Sequence, residues 1–401
     1  MNIAILHRLI WKLSLVFAVL LVIGAIALRG TSAKRPGTQF LAAGPMLQNT
    51  TTNGFTVVWW QPGGVQGVLQ VRGGLNVETN CQAIRRGDRC EARATGLASG
   101  TAYRYEILEL GPAGSRRCLY VGRARTAPPP NTPFSFLVFG DSGSGDDFQY
   151  RLARVMDGYP CDLVLHTGDL VYGDVSPSDY VLKFFQPYRN FLRAVPFYPA
   201  LGNHDVEVDG GQAFLEKFSL PTNGPPVVPA QHCYWFDYGD ARFIVIDSNL
   251  DPATLSETVA PWLRRVLQTA GHRWKFIFFH APPWNGGRHP ADENVRAALV
   301  PTLEESGTDV VFCGHNHLYE RTRPLHNGQA VAPTNGVLYI TTGAGGKSLH
   351  KENYRGSSQL AFYDNSQFSF TWVQVTSDRV EIEQIGETDT ILDKVVLAHT
   401  L

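Results

Sequence analysis

Val310-Val311-Phe312-Cys313 runs directly into Gly314-His315-Asn316-His317-Leu318-Tyr319-Glu320-Arg321. The first four residues are wholly apolar, the pattern of a short buried strand. The glycine after them lets the backbone approach another group closely. Two histidines then stand at i and i+2, on one side of an extended segment. Neutral imidazole is the commonest metal ligand among side chains. His315 and His317 therefore face one metal or two adjacent ones, unless they are solvated loop histidines. Glu320 and Arg321 read as a structural ion pair, and Cys313 as a buried free thiol. The residues at the ends of the other strands decide between the two readings.

The same arrangement recurs upstream. An apolar run over 134–139 ends in Gly140-Asp141-Ser142-Gly143, and one over 162–166 ends in Gly168-Asp169-Leu170-Val171-Tyr172. Residues 197–201 lead into Gly202-Asn203-His204-Asp205, and 274–279 end at His280. A further apolar strand is expected over 243–247. Helices are expected over 150–156, over 180–192, and from near Thr258, where Val259, Trp262, Leu263, Val266 and Leu267 recur at helical spacing with Pro261 in the first turn. Strands are expected again over 337–342, 368–375 and 380–385. This alternation predicts an α/β fold of two packed sheets flanked by helices, with ligand sites at the carboxyl ends of the strands. A lone Gly-Asp after a strand is often only a helix cap; five strand ends in one order carry more. His166, inside its strand, reads as a core histidine.

The residue types suit two metals. Two cations roughly 3.5–4 Å apart repel and need an anionic bridge, for which Asp169, central in the series, is the natural candidate. Asp141 adds a carboxylate. Tyr172 reaches the same ion around a turn, binding as phenolate to a strongly acidic cation. Asn203 offers a neutral oxygen, and His280, His315 and His317 offer nitrogens. The oxygen-rich half suits Fe(III); the nitrogen-rich half suits Zn(II), Fe(II) or Mn(II).

Gly-Asp-Ser-Gly, Gly-Asp-Leu-Val-Tyr, Gly-Asn-His-Asp, Ile277-Phe-Phe-His280 and Gly-His-Asn-His together resemble the five metal-ligand blocks of purple acid phosphatases, within the calcineurin-like metallophosphoesterase superfamily. Leu318 to Pro324 continues the likeness, which covers roughly residues 130–385. The resemblance implies a four-layer αββα sandwich and an acid phosphatase that hydrolyses phosphate monoesters by attack of a metal-bound hydroxide. It assigns Asp141, Asp169, Tyr172 and His317 to Fe(III), with Asp169 bridging, and Asn203, His280 and His315 to a divalent ion (Zn, Fe or Mn). His204 matches a substrate-binding histidine that also protonates the leaving group, with Asp205 expected either to orient it or to serve as a helix or turn cap. His289 matches another substrate-binding histidine, whereas its usual companion is Pro290 here, a departure that bears on specificity. A phosphodiesterase on the same scaffold is the alternative, and an exported binding protein with a vestigial metal site is the rival from another class.

The rest of the chain frames this domain. At 401 residues, 44% apolar and 18% charged, the chain is globular and long enough for two domains. A net charge of −1 excludes a strongly basic nucleic-acid footprint, so the expected partner is a small-molecule phosphoester. His7, Arg8 and Lys12 precede an uncharged apolar run from Leu13 to Leu28, which Arg29 ends. Residues 1–35 thus read as a signal peptide or membrane anchor, and the remainder as exported, with membrane attachment only through an uncleaved leader. Residues 36–126 alternate in short strands with glycine turns, an all-β sandwich. Leu97-Ala-Ser-Gly-Thr-Ala-Tyr-Arg-Tyr105 resembles the corner of a fibronectin type III domain, a spacer or docking module without catalytic groups. Residues 127–133, with three consecutive prolines, form an extended linker, and 134–401 the catalytic domain. Export permits disulfides, and Cys81–Cys90 is the candidate bridge.

Overall fold

The computed structural model describes residues 41–399 apart from 75–76, 272–273 and 352–356. The expected leader lies outside them. Among the described residues no helix is long and apolar enough to cross a membrane.

The amino-terminal part is all-β, as its alternation predicts. Two four-stranded antiparallel sheets face each other. One runs in the order Ala43–Thr51, Gly54–Trp60, Arg89–Thr95, Ile84–Arg86; the other runs Val77–Gln82, Gly67–Gly73, Ala102–Leu110, Arg116–Arg125. Phe55, Val57, Trp59, Leu69, Val71, Tyr103, Tyr105 and Ile107 fill the space between them. Hydrogen bonds tie this sandwich to the segment over 193–197: Gln48 Nε2 donates to the Phe197 carbonyl at 3.0 Å, and Tyr105 Oη to that of Arg193 at 2.7 Å. The expected Cys81–Cys90 bridge does not form, and both cysteines are free. Cys81 lies on a strand of one sheet and Cys90 on a strand of the other.

From Phe134 onward two mixed sheets stack. The first runs Phe197–Pro199, Leu163–His166, Phe134–Phe139, Ser369–Val375, Arg379–Gly386, Ile391–Ala398. The second runs Tyr234–Tyr238, Ala241–Val245, Trp274–Phe278, Val310–Cys313, Leu338–Thr342, Tyr319–Thr322, Leu360–Asp364. The strands that lead into the candidate ligands are parallel within each sheet. Within each sheet their carboxyl ends therefore lie on one side. Phe136 joins the sheets, packing edge-on against Phe243, Phe276 and Phe312 at 5.1–6.2 Å. Leu152, Ala153 and Met156 of the Asp147–Met156 helix pack on the first sheet. The Ala260–Gln268 and Glu293–Glu305 helices cover Ile244, Ile277 and Val311 of the second. This is the four-layer αββα arrangement, preceded by an all-β sandwich.

Two local expectations are corrected. The 180–192 stretch is not one helix: a π-helical turn over Val181–Phe185 interrupts it before Arg189–Leu192. The α-helix carrying Trp262 starts close to the expected place, at Ala260, with Pro261 in its first turn; a helical turn over Pro252–Thr254, capped by Asp251, and a π-helical turn over Leu255–Val259 lead into it. Glu320 and Arg321 do not pair. Arg321 binds Asp393 at 2.6 and 2.9 Å, while Glu320 accepts from Gly286 N and Thr341 Oγ1, because adjacent residues of a strand face opposite sides.

Candidate metal centre

Each strand end delivers its polar residue through a tight turn. Asp141, Asp169 and His315 all adopt a left-handed backbone, with φ of 55°, 56° and 70°. That region is costly for most side-chain-bearing residues and is adopted here at three of the strand ends. The glycine before His315 is obligatory for another reason: a Cβ at Gly314 would stand 2.5 Å from Asp141 Oδ2 and 3.1 Å from His280 Nδ1.

The donors converge in two groups. Ligating atoms of Asp141, Asp169 and His317 lie within 4.8 Å of one another, all buried. Tyr172 Oη joins them, 3.1 Å from His317 Nε2 and 3.4 Å from Asp141 Oδ1. Asn203 Oδ1 is 3.0 Å from both His280 Nε2 and His315 Nδ1. Asp169 links the groups, with Oδ1 3.5 Å from His280 Nε2. The structure thus brings together all seven side chains singled out as candidate ligands.

The direction of the protons shows what the cluster suits. His280 Nδ1 donates to the Thr167 carbonyl at 3.0 Å, and His317 Nδ1 to the Ser348 carbonyl at 2.7 Å. A neutral imidazole so engaged presents a lone pair at Nε2. The His280 lone pair then faces the acceptor oxygens of Asn203 and Asp169, an arrangement that a cation satisfies. Burial and neighbouring imidazoles push His315 and His317 down to about 3, so both rings are neutral ligands above that pH. Burial and the Asp169 carboxylate push Asp141 well above the usual carboxylate range. Burial acts on Asp169 in the same sense, but His280 and His204 outweigh it and hold that carboxyl low. Burial, with Asp169 and Asp141, pushes the Tyr172 phenol well up, so only a strongly acidic cation would take it as phenolate. The residues present fit a pair of cations, one among oxygens with His317, the other between Asn203, His280 and His315.

His204 sits at the edge, its ring 4.7 Å from that of Tyr172. Its Nδ1 pairs with Glu207 Oε2 at 2.9 Å, not with Asp205. Asp205 is buried and accepts from Leu170 N and Gly202 N at 3.0 and 2.9 Å. It staples two ligand loops together, and its expected role in orienting His204 is corrected to Glu207. The i,i+3 spacing on the Asn203–Glu207 helix was the available signal. His166 is a buried core histidine between Ser142 Oγ and Gly168 N. A cleft of about 640 Å³ opens over the cluster, lined by His204, Glu207, Asp174 and His289 and also by Arg288, Lys347 and His350. The last three were not read from the sequence. The Gly-Ala-Gly-Gly turn after the Leu338–Thr342 strand, another glycine-marked strand end, would have pointed to two of them.

Residues 134–319, which hold all seven candidate ligands, match the family described as Calcineurin-like phosphoesterase. Purple acid phosphatase 18 of Arabidopsis thaliana is 26% identical over 61% of this chain; the match spans 60% of the plant protein, less than two thirds of its length. A protein of Hordeum vulgare named Nucleotide pyrophosphatase/phosphodiesterase is 24% identical over 65% of this chain and 85% of its own. The purple acid phosphatase PPD1 of yellow lupin superposes with a TM-score of 0.77 over 88% of this chain and 74% of its own, at 17% identity, a likeness of fold. The chain carries a calcineurin-like phosphoesterase domain and is a homologue of the purple acid phosphatases.

Proposed function

We propose that the chain is a metal-dependent phosphoester hydrolase, an acid phosphatase acting on phosphate monoesters. The observation that supports this most is the paired donor set: Asn203 Oδ1 within 3.0 Å of two imidazole nitrogens, beside a buried Asp141–Asp169–His317 group. When bound, two cations would offset the charge of a phosphate and lower the pKa of water enough to make it a nucleophile near neutral pH. Asp141, Asp169, Tyr172 and His317 would hold Fe(III), and Asn203, His280 and His315 the divalent ion, with Asp169 shared. His204, its Nδ1 fixed by Glu207, keeps Nε2 for the substrate and hands a proton to the leaving oxygen. His289, with its ring 4.5 Å from that of His315, contacts the phosphoryl group. The apolar run behind His7, Arg8 and Lys12 supports export.

A second reading, a phosphodiesterase, is favoured by the name of the barley relative. Metal analysis of the purified protein, with rates on p-nitrophenyl phosphate and bis-p-nitrophenyl phosphate, separates the readings. Two metals and faster monoester turnover are expected. Two retained metals without turnover of either ester would replace the hydrolase by a binding protein. Tyr172→Phe should bleach the visible absorption of a tyrosinate–Fe(III) pair; a colourless active wild type would mean another metal pair.

A further inference from the structure

The segment Gly343-Ala-Gly-Gly-Lys-Ser-Leu-His350 takes no part in the chemistry above, yet its backbone is tied to the ligand loops at several points. Lys347 N donates to the Asp141 carbonyl at 2.8 Å and Gly345 N to that of Gly140 at 3.1 Å. The Ser348 carbonyl accepts from His317 Nδ1, and His350 N donates to the His317 carbonyl at 3.1 Å. The side chains it carries therefore stand on a fixed base. Lys347 Nζ lies 4.7 Å over the Tyr172 ring, and among the described residues no carboxylate pairs with it. The His350 ring stacks on that of His317 at 4.1 Å and stands 5.0 Å from His289. His350 Nδ1 accepts from His317 N at 3.2 Å, so the neutral ring carries its proton on Nε2. Both side chains line the cleft beside Arg288 and His289. The carboxylates there are Asp174 and Glu207 besides the ligand Asp169, and Glu207 is engaged by His204.

We propose that Lys347 and His350 form a phosphate-binding arm that selects dianionic phosphate monoesters over monoanionic diesters. This rests on the hydrolase reading. An imidazole N–H and an ammonium at one wall offer donors to phosphoryl oxygens already seated over the cluster. The attraction of the ammonium scales with the charge it meets, and a diester brings one charge fewer. A diester also places an esterified oxygen where a free one would accept from the arm. His350 thus gives His289 an imidazole companion from a distant loop, where the adjacent position holds Pro290.

The test uses the metal-loaded protein, with metal content measured for every variant. Lys347→Met should lower kcat/KM for p-nitrophenyl phosphate about tenfold to a hundredfold, the range for a lost bond to a charged group. On bis-p-nitrophenyl phosphate the loss should be about the square root of that factor, and Lys347→Arg should restore most of it. His350→Asn keeps an acceptor for the His317 amide but removes the Nε2 donor; it should weaken competitive inhibition by inorganic phosphate about tenfold. Equal losses on the two esters, or unchanged phosphate inhibition in both variants, would overturn the arm. If His350→Asn sheds metal, the Met and Arg variants at Lys347 decide alone. Wild-type protein that holds two metals yet hydrolyses neither ester overturns the hydrolase reading, and the selection with it.

Discussion

Asp169 and Asp205 are both buried carboxylates next to the same loops, yet their surroundings differ in kind. Asp205 meets N–H groups: Leu170 N and Gly202 N aim at its oxygens. Asp169 accepts one N–H, from His204 at 2.9 Å, and then faces the Nε2 of a histidine whose proton sits on its other nitrogen. Glu320 belongs with Asp205, held by Gly286 N and Thr341 Oγ1. A buried carboxylate ringed by donors is a staple, whereas one that faces lone pairs is a seat for a cation. Residue type and burial alone do not separate the two; the direction of the neighbouring protons does.

The most damaging way to challenge this division is Asp169→Asn. The amide cannot bridge two cations, so metal content should fall and turnover should drop by far more than the ~10–100-fold typical of losing an outer partner. Metal analysis beside kcat checks it, and full metal content would place Asp169 with the staples. Gly314→Ala comes next. The added Cβ meets Asp141 Oδ2 at 2.5 Å, and overpacking of this kind costs about 1–3 kcal/mol. Metal affinity should fall together with stability, because the displaced atom is a donor. Asp205→Asn should separate the two properties. It leaves at least one buried backbone N–H without an acceptor, which costs about 1–3 kcal/mol of folding stability. Denaturant unfolding should register that loss while the metal-loaded protein retains most of its turnover. A turnover loss as deep as that of Asp169→Asn would erase the distinction.

The sequence revealed the seats better than the staples. Apolar runs mark the strands, and a glycine followed by Asp, Asn or His marks four of the five ends, His280 following Phe279 directly; the order of these ends, with the resemblance they carry, made the convergence of the seven donors legible. The left-handed backbone at Asp141, Asp169 and His315 was not, since nothing in the residue type records the φ that the surrounding loops impose. Partner choice was misread wherever adjacency in sequence stood in for adjacency in space. His204 turns to Glu207, three residues on, because i and i+3 share a helix face and i and i+1 do not. Glu320 and Arg321 diverge for the corresponding reason in a strand. Pro261 did mark the start of its α-helix, whereas the π-helical turn ahead of it leaves no trace in hydrophobic spacing.

Glu320→Gln should have the smallest effect on turnover and metal content, and it tests the staple class in isolation. Burial raises the Glu320 carboxyl to about 7 from an ordinary 4.5. Between those values the folded chain binds a proton that the unfolded chain has released. Its contribution is therefore fully present below about pH 4.5 and is lost as pH rises through 7. Glutamine does not titrate. Its amide imposes a penalty against Gly286 N and Thr341 Oγ1 that is the same at every pH, so the slope carries the information rather than the offset. From pH 5 to 8 the wild type should lose roughly 3 kcal/mol relative to the variant, read from denaturant midpoints across that range. Parallel curves would remove the titrating carboxyl. Because no lone-pair nitrogen is among the bonded partners of Glu320, the slope should also be the same in chelator-treated and metal-loaded protein. A slope that changed with metal would move Glu320 out of the staple class and into the cation seat.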